Sequence, residues 1–288
     1  MKVIFSRKGF DSQNGGIPNA VLPNGEMLSF PIPDKSSGIL YREIRASAGN
    51  YKNVYQILSD LGCPKIKENY TAHLDPDLCS NSFPRVKGWL PVFGQQAQSL
   101  SHLKNNSVGK GDLFLFFGLF RETEYVSGKL KYRKGSKTFH AIFGYLLVGR
   151  VVDLHEQLPD DLNWLKYHPH MKSKGENNRI FISAEKMPVS GRSYRGSGVF
   201  KNYSEDIRLS SNLKSTSSWR LPLWFYPYAD DRPPLTYHAD KAKWELFTDH
   251  AELTSVCRGQ EFVLDAEYYP EIFPWIDSIL KKHTDAIN

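Results

Sequence analysis

Two apolar runs within Val108–Val152 constrain the fold more than any other stretch of the chain. The first reads Val-Gly-Lys-Gly-Asp-Leu-Phe-Leu-Phe-Phe-Gly-Leu-Phe-Arg and the second Thr-Phe-His-Ala-Ile-Phe-Gly-Tyr-Leu-Leu-Val-Gly-Arg-Val-Val, separated by a basic polar connector from Glu122 to Lys137. Their aromatic and β-branched content predicts a pair of strands rather than one helix. Neither run shows the polar alternation of a sheet with one wet face, so both faces need cover, as in a barrel or a sheet backed by helices. The expected class is α+β, with a mostly antiparallel central sheet and flanking helices. Gly118 and Gly144 interrupt the runs near their middles, where a missing Cβ suits a bulge, a close approach or plain packing.

At 288 residues and 33.0 kDa the chain can bury a sizeable core, and we expect a single domain spanning 1–288. A content of 40% hydrophobic and 24% charged residues excludes a disordered chain. A net charge of +6 admits an anionic partner such as nucleic acid or a nucleotide. Cys63, Cys79 and Cys257 are odd in number, widely spaced and never Cys-x-x-Cys, which argues against a disulfide framework or a zinc ribbon. With no signal-peptide core and no bilayer-length apolar run, the expectation is a cytoplasmic protein without membrane partners.

Several polar stretches carry possible chemistry. Lys2–Phe5 reads as a strand, and Ser6–Pro18 follows it with Arg7, Lys8, Asp11, Ser12, Gly15 and Gly16. That setting suits backbone N–H groups aimed at a phosphate, or equally a surface turn in which the glycines supply positive φ. Asn24-Gly25 predicts a hairpin. From Tyr41 onward the pattern turns helical, with Tyr51, Val54, Tyr55, Leu58 and Leu61 on one face and Gly62 and Pro64 as the stop. His73, Asp75 and Asp77 alternate, so they form either an acid–base or metal-binding group or a turn in which the aspartates hydrogen-bond to the backbone. Gln95, Gln98 and His102 share a helix face. His168 and His170 resemble half of a metal site that no neighbouring cysteine or carboxylate pair completes, and no metal ligand set is assigned. Arg192 and Arg195 flank Tyr194 in a segment suited to phosphate contacts, and Trp219–Tyr228 is either a stacking platform or core.

The rows Ser-Arg-Lys-Gly-Phe-Asp-Ser-x-x-Gly-Gly-x-Pro, His-Leu-Asp-Pro-Asp-Leu, Phe-Gly-Gln, Gly-Asp-Leu-Phe-Leu-Phe-Phe-Gly-x-Phe-Arg, His-Pro-His and Leu-Pro-x-Trp-Phe resemble the third type of nucleotide-modification-associated domain over nearly the whole chain. That resemblance implies a bacterial or phage pathway that modifies DNA or nucleic-acid bases and its partner proteins; it brings no reaction and no cofactor. The central block also resembles, at fold level, the strand pairs of pseudouridine-synthase-and-archaeosine-transglycosylase-like (PUA-like) barrels, which implies a barrel-like core at about 108–185.

Two functional expectations follow. In one, the protein is an enzyme or accessory enzyme on a base or nucleotide. Asp11, His73, Asp75 and Asp77 are then its catalytic groups, with Arg7, Lys8, Ser12, Gly15, Gly16, Gln95, His102, Arg121, Arg192 and Arg195 on the nucleotide or phosphate. In the other, it is a non-catalytic reader that stacks a modified or flipped base on Trp219, Trp224 and Tyr228. Convergence of the Asp11 loop with His73–Asp77 in one pocket would favour chemistry.

Overall fold

The computed structural model describes residues 1–173, 175–229, 231–256 and 261–285, with only the backbone of Ser47. The two apolar runs are paired strands, as their composition requires. They belong to a ten-stranded mixed sheet built from β1 (Lys2–Arg7), β2 (Asn19–Val21), β3 (Met27–Leu28), β4 (Val92–Gln96), β5 (Leu113–Val126), β6 (Lys129–Tyr132), β7 (Phe139–Asp153), β8 (Asn178–Ser183), β9 (Ser197–Val199) and β10 (Glu261–Asp265). Its main path runs β10-β1-β5-β7-β8-β4. Most pairings are antiparallel; β1 and β2 both run parallel to β5. The class is α+β, a large curled mixed sheet with a few helices.

Both faces of β5 and β7 are covered, and Phe114, Phe116, Phe117, Phe120 and Leu146 are fully buried. The largest core gathers β1, β5, β7 and β10 with the C-terminal helix Ile272–His283 and the buried Trp219, Phe225 and Leu253. A second core lies under the N-terminal third of the chain, from Phe10 to Leu74, joined by Leu130. A third, smaller one packs Val92, Ile180 and Ile182 against Trp164 and Leu165.

The two strand glycines are sites of close approach. A Cβ on Gly118 would meet Lys8 O and Asn19 Nδ2 at 2.9 Å, and one on Gly144 would meet Gly198 O at 2.9 Å. Gly144 also stands at the register shift where β9 joins β7. The Asn24-Gly25 hairpin is present as β2–β3. The predicted helix after Tyr41 is shorter than its periodicity suggested. Tyr41–Glu43 is a 3-10 turn, Arg45–Ala48 pairs with Tyr51–Asn53, and only Val54–Asp60 is α-helical. Asn53 caps that helix by accepting the Gln56 N–H, and Gly62 at φ 72° turns the chain away from it. Among the described residues no helix is long and apolar enough to cross a membrane.

Candidate metal centre

Four elements that are remote in sequence converge beside the edge strand β4. Ala72–His73 pairs with Ile32–Pro33, which brings Asp34 next to His73. Asp75 and Asp77 follow, and the Asp77 backbone exchanges hydrogen bonds with Val92 at the start of β4. His168 and His170 open the short 3-10 turn Pro169–Lys172, in which Pro169 takes the first position and the His168 ring accepts the His170 N–H at 3.4 Å. Asn178 begins β8, the neighbour of β4.

His73 Nε2 and His170 Nε2 lie 3.9 and 3.6 Å from Asp75 Oδ2. These separations are too long for hydrogen bonds but match donors sharing one ion, which stand roughly 3–4 Å apart when each bond is about 2.1 Å. One ligand atom from each of the three residues lies within 4.8 Å of the others.

The tautomers are set from behind. Asn178 Nδ2 donates to His170 O at 2.8 Å, so its Oδ1 faces the ring and accepts the Nδ1–H of His170 at 2.7 Å. The Asp34 carboxylate accepts from His73 Nδ1 at 2.8 Å. Both rings thereby present Nε2 toward Asp75, the second-shell arrangement that orients metal-binding imidazoles. The His73 bond also holds the Asp34 carboxyl well below the usual range, against the opposing effect of burial.

Asp75 divides its two oxygens. Oδ1 accepts the Gly94 N–H at 2.8 Å, whereas Oδ2 faces His73 and His170. The close approach of His170 is what requires glycine at 94: a Cβ at this position would lie 2.3 Å from Cδ2 of His170. His168 is fully buried, and its Nε2 stands 3.3 Å from Asp75 Oδ1 without the alignment of a formed hydrogen bond. Its Nδ1 is occupied by the His170 N–H, so its proton sits on Nε2. Burial pushes the Asp75 carboxyl up, but His168 and His170 outweigh it and hold the group well below the usual range. Burial drives the His168 ring toward its neutral form.

Asp77 has a different role from Asp75. Arg85 binds both of its oxygens at 2.6 Å, and Tyr167 donates to Oδ2 at 2.6 Å. Burial pushes its carboxyl up, and the Arg85 fork opposes that. The group ties the Asp75 loop to the residue preceding His168.

The remaining expected site residues lie elsewhere. Among the described residues Asp11 makes no hydrogen bond or ion pair with His73–Asp77, although Gly9 of the same stretch lines a cavity with Asp75–Asp77. Asp11 Oδ1 accepts the N–H groups of Gln13 and Asn14, and Asp11 O accepts that of Gly16. Gly15 and Gly16 adopt φ 82°, and Ser12 is exposed on this turn. The loop therefore spends its N–H groups on itself. Arg7 ends β1 opposite Phe117. Lys8 is not a free phosphate ligand: its Nζ pairs with buried Glu261 at 2.9 Å, and Gln95 donates to the same Glu261 oxygen at 2.6 Å. His102 bonds Thr236. Arg121 reaches Ser136 and the Arg133 carbonyl, and Arg192 pairs with Asp277. Arg195 is exposed.

Of the expected stacking residues only Trp219 is fully in the core. Trp219 is 0% exposed and donates to His140 Nδ1 at 3.0 Å, while Trp224 packs on Phe225 and Trp275. Tyr228 is half-buried, with its hydroxyl on Ala239 O. Cys63 is buried and Cys79 partly so; Cys257 lies outside the described residues. Sequence reasoning missed Asp34, Gly94 and Asn178 and left the His168/His170 pair incomplete. The signal was present in the shared one-residue spacing of His-x-Asp and His-x-His, but these stand more than ninety residues apart.

A family model described as nucleotide modification associated domain 3 matches residues 2–265 of the chain. The chain belongs to this family. Every group of the convergent site, from Asp34 to Asn178, falls inside the matched span. No curated protein and no solved structure matches the chain. Membership in the nucleotide modification associated domain 3 family therefore connects the chain with nucleotide modification and leaves the reaction to be argued from the site.

Proposed function

We propose that this protein is a metal-dependent enzyme acting on a nucleotide or nucleic-acid base, with His73, Asp75 and His170 as the metal ligands. One observation carries the reading: the Nε2 atoms of two imidazoles converge on one carboxylate oxygen at 3.9 and 3.6 Å, beyond hydrogen-bond reach, with each ring held at Nδ1 by its own acceptor. Structural histidines would bring their Nε2 groups within hydrogen-bond distance of a buried carboxylate, and neither ring does so. Two histidines and a carboxylate leave coordination positions open for water or substrate, where a divalent ion acts as Lewis acid or activates water.

Asp34 and Asn178 fix the ring tautomers, Gly94 anchors Asp75, and Asp77 with Arg85 and Tyr167 holds the two ligand-bearing segments together. His73 and Asp34 form the accessible edge, their side chains 19% and 17% exposed against 4% for Asp75 and His170. Substrate approach from that edge follows. The reader alternative loses Trp219, which is core, and keeps only the partly exposed Trp224 and Tyr228.

Titration of the metal-stripped protein with Zn²⁺, Mn²⁺ and anaerobic Fe²⁺ tests the assignment. We expect one ion per chain for at least one of these metals, and loss of that binding in Asp75→Asn and His170→Ala. A wild-type protein that binds none of the three more tightly than Asp75→Asn does would overturn it.

A further inference from the structure

The seam between the first and second cores encloses a cavity of about 400 Å³. Phe30, Ile44 and Leu74 form one wall and Met27, Phe143 and Phe200 the other, so the space is apolar on both sides. The segment Asp75–Asp77 contributes to its lining, so one chain segment serves both the cavity and the candidate metal centre; His73 and His170 are not among the lining residues. Arg45 and Lys201 also line it, and both are exposed. Neither side chain forms an ion pair or hydrogen bond among the described residues, whereas Lys8, Arg85, Arg179 and Arg192 all hold carboxylates. Glu26, Ser29 and Asn81 add acceptors and donors to the wall.

Small-molecule sites span roughly 300–1,000 Å³, mostly apolar with a few placed polar groups. This cavity is at the small end, suited to a single planar ring system with one attached group. Asp75 and Asp77 are held by partners of their own, so Arg45 and Lys201 exceed Glu26, the remaining lining carboxylate, by one charge and suit an anion on that ring system.

We propose that this cavity binds one nucleoside monophosphate unit, its base in the apolar slot between the two cores and its phosphate on Arg45 and Lys201. The inference rests on the nucleotide reading above, and the unit is either a free mononucleotide or a nucleotide turned out of a polynucleotide strand.

The test uses the full chain in the presence of chelator, so that metal binding does not enter. Calorimetric titrations compare the four deoxynucleoside monophosphates, their nucleosides, a short single-stranded oligonucleotide and octanoate. We expect at least one monophosphate to bind about tenfold or more tightly than its nucleoside. That difference should vanish in Arg45→Ala/Lys201→Ala, whose altered side chains are exposed and whose fold is checked by circular dichroism. Tighter binding of the oligonucleotide identifies a polynucleotide source, and tighter binding of the mononucleotide a free one; either result supports the site. Absence of nucleotide binding, equal affinity for nucleoside and monophosphate, an unchanged double variant, or a preference for octanoate overturns it. Arg45→Ala/Lys201→Ala should still bind metal as the wild type does when chelator is omitted, so failure of the metal assignment reads out separately.

Discussion

Replacing Gly94 with alanine isolates the geometry of the metal centre with one added carbon. The new Cβ would stand 2.3, 2.5 and 2.8 Å from Cδ2, Cγ and Nε2 of His170. Carbon–carbon contact requires about 3.5–4.0 Å, so the ring must retreat by roughly 1.2–1.7 Å. Gly94 does not occupy the left-handed region, and its N–H bond to Asp75 survives in alanine, so the backbone itself is not strained. Overpacking of this kind costs about 1–3 kcal/mol of stability. Metal–ligand bonds tolerate only about 0.2 Å, so the displaced His170 no longer serves as a ligand. Loss of a second-shell partner alone weakens metal binding by about 10–100-fold, and loss of a ligand should cost at least about 100-fold, or roughly 2.7 kcal/mol. The assay is a metal titration paired with thermal unfolding. At a metal concentration of about 100 times Kd the wild type gains roughly 2.7 kcal/mol, and Gly94→Ala should gain almost none. A folded Gly94→Ala protein that binds metal within threefold of wild type would refute the reasoning.

Three further outcomes follow from the same coordinates of charge and burial. Arg85→Met should cost about 3–5 kcal/mol by stranding the buried Asp77 carboxylate, whereas Asp77→Leu/Arg85→Met should recover most of it in chemical denaturation; equal loss in both variants would count against that stranding. Burial pushes His238 down to about 4, below its ordinary 6.5; its Nδ1 donates to Thr236 O and its Nε2 accepts the Val256 N–H. Between these values the unfolded chain binds the extra proton, so stability falls as pH drops from about 6.5 to 4, by roughly 3 kcal/mol. His238→Gln should flatten that part of the stability profile, and an unaltered slope would show that other groups dominate. Asp11→Asn keeps the acceptor oxygen of its turn and should leave both metal and nucleotide binding within about threefold, with a stability loss of about 1 kcal/mol or less; a tenfold loss of either binding would return Asp11 to the site.

The strand pair β5–β7, its double cover and the Asn24-Gly25 hairpin were legible because each is a local pattern: apolar density or turn chemistry. The helix after Tyr41 was overextended because its apolar spacing is shared by a 3-10 turn and a short strand pair that bury the same side chains. Trp219 was ambiguous for a related reason, since an aromatic cluster reads alike whether it faces solvent or core. His73 and Asp75 stood out by residue type alone, and so did the pair His168 and His170. What joined them was tertiary: β4 lies beside β8, and the Asp77–Val92 bridge and the Tyr167–Asp77 hydrogen bond bring residues from both stretches against Gly94. Spacing along a chain specifies which side chains share a face of one element. Which elements meet depends on the burial of whole faces against each other, and the positions of Asp34, Gly94 and Asn178 acquire meaning only once that packing has occurred.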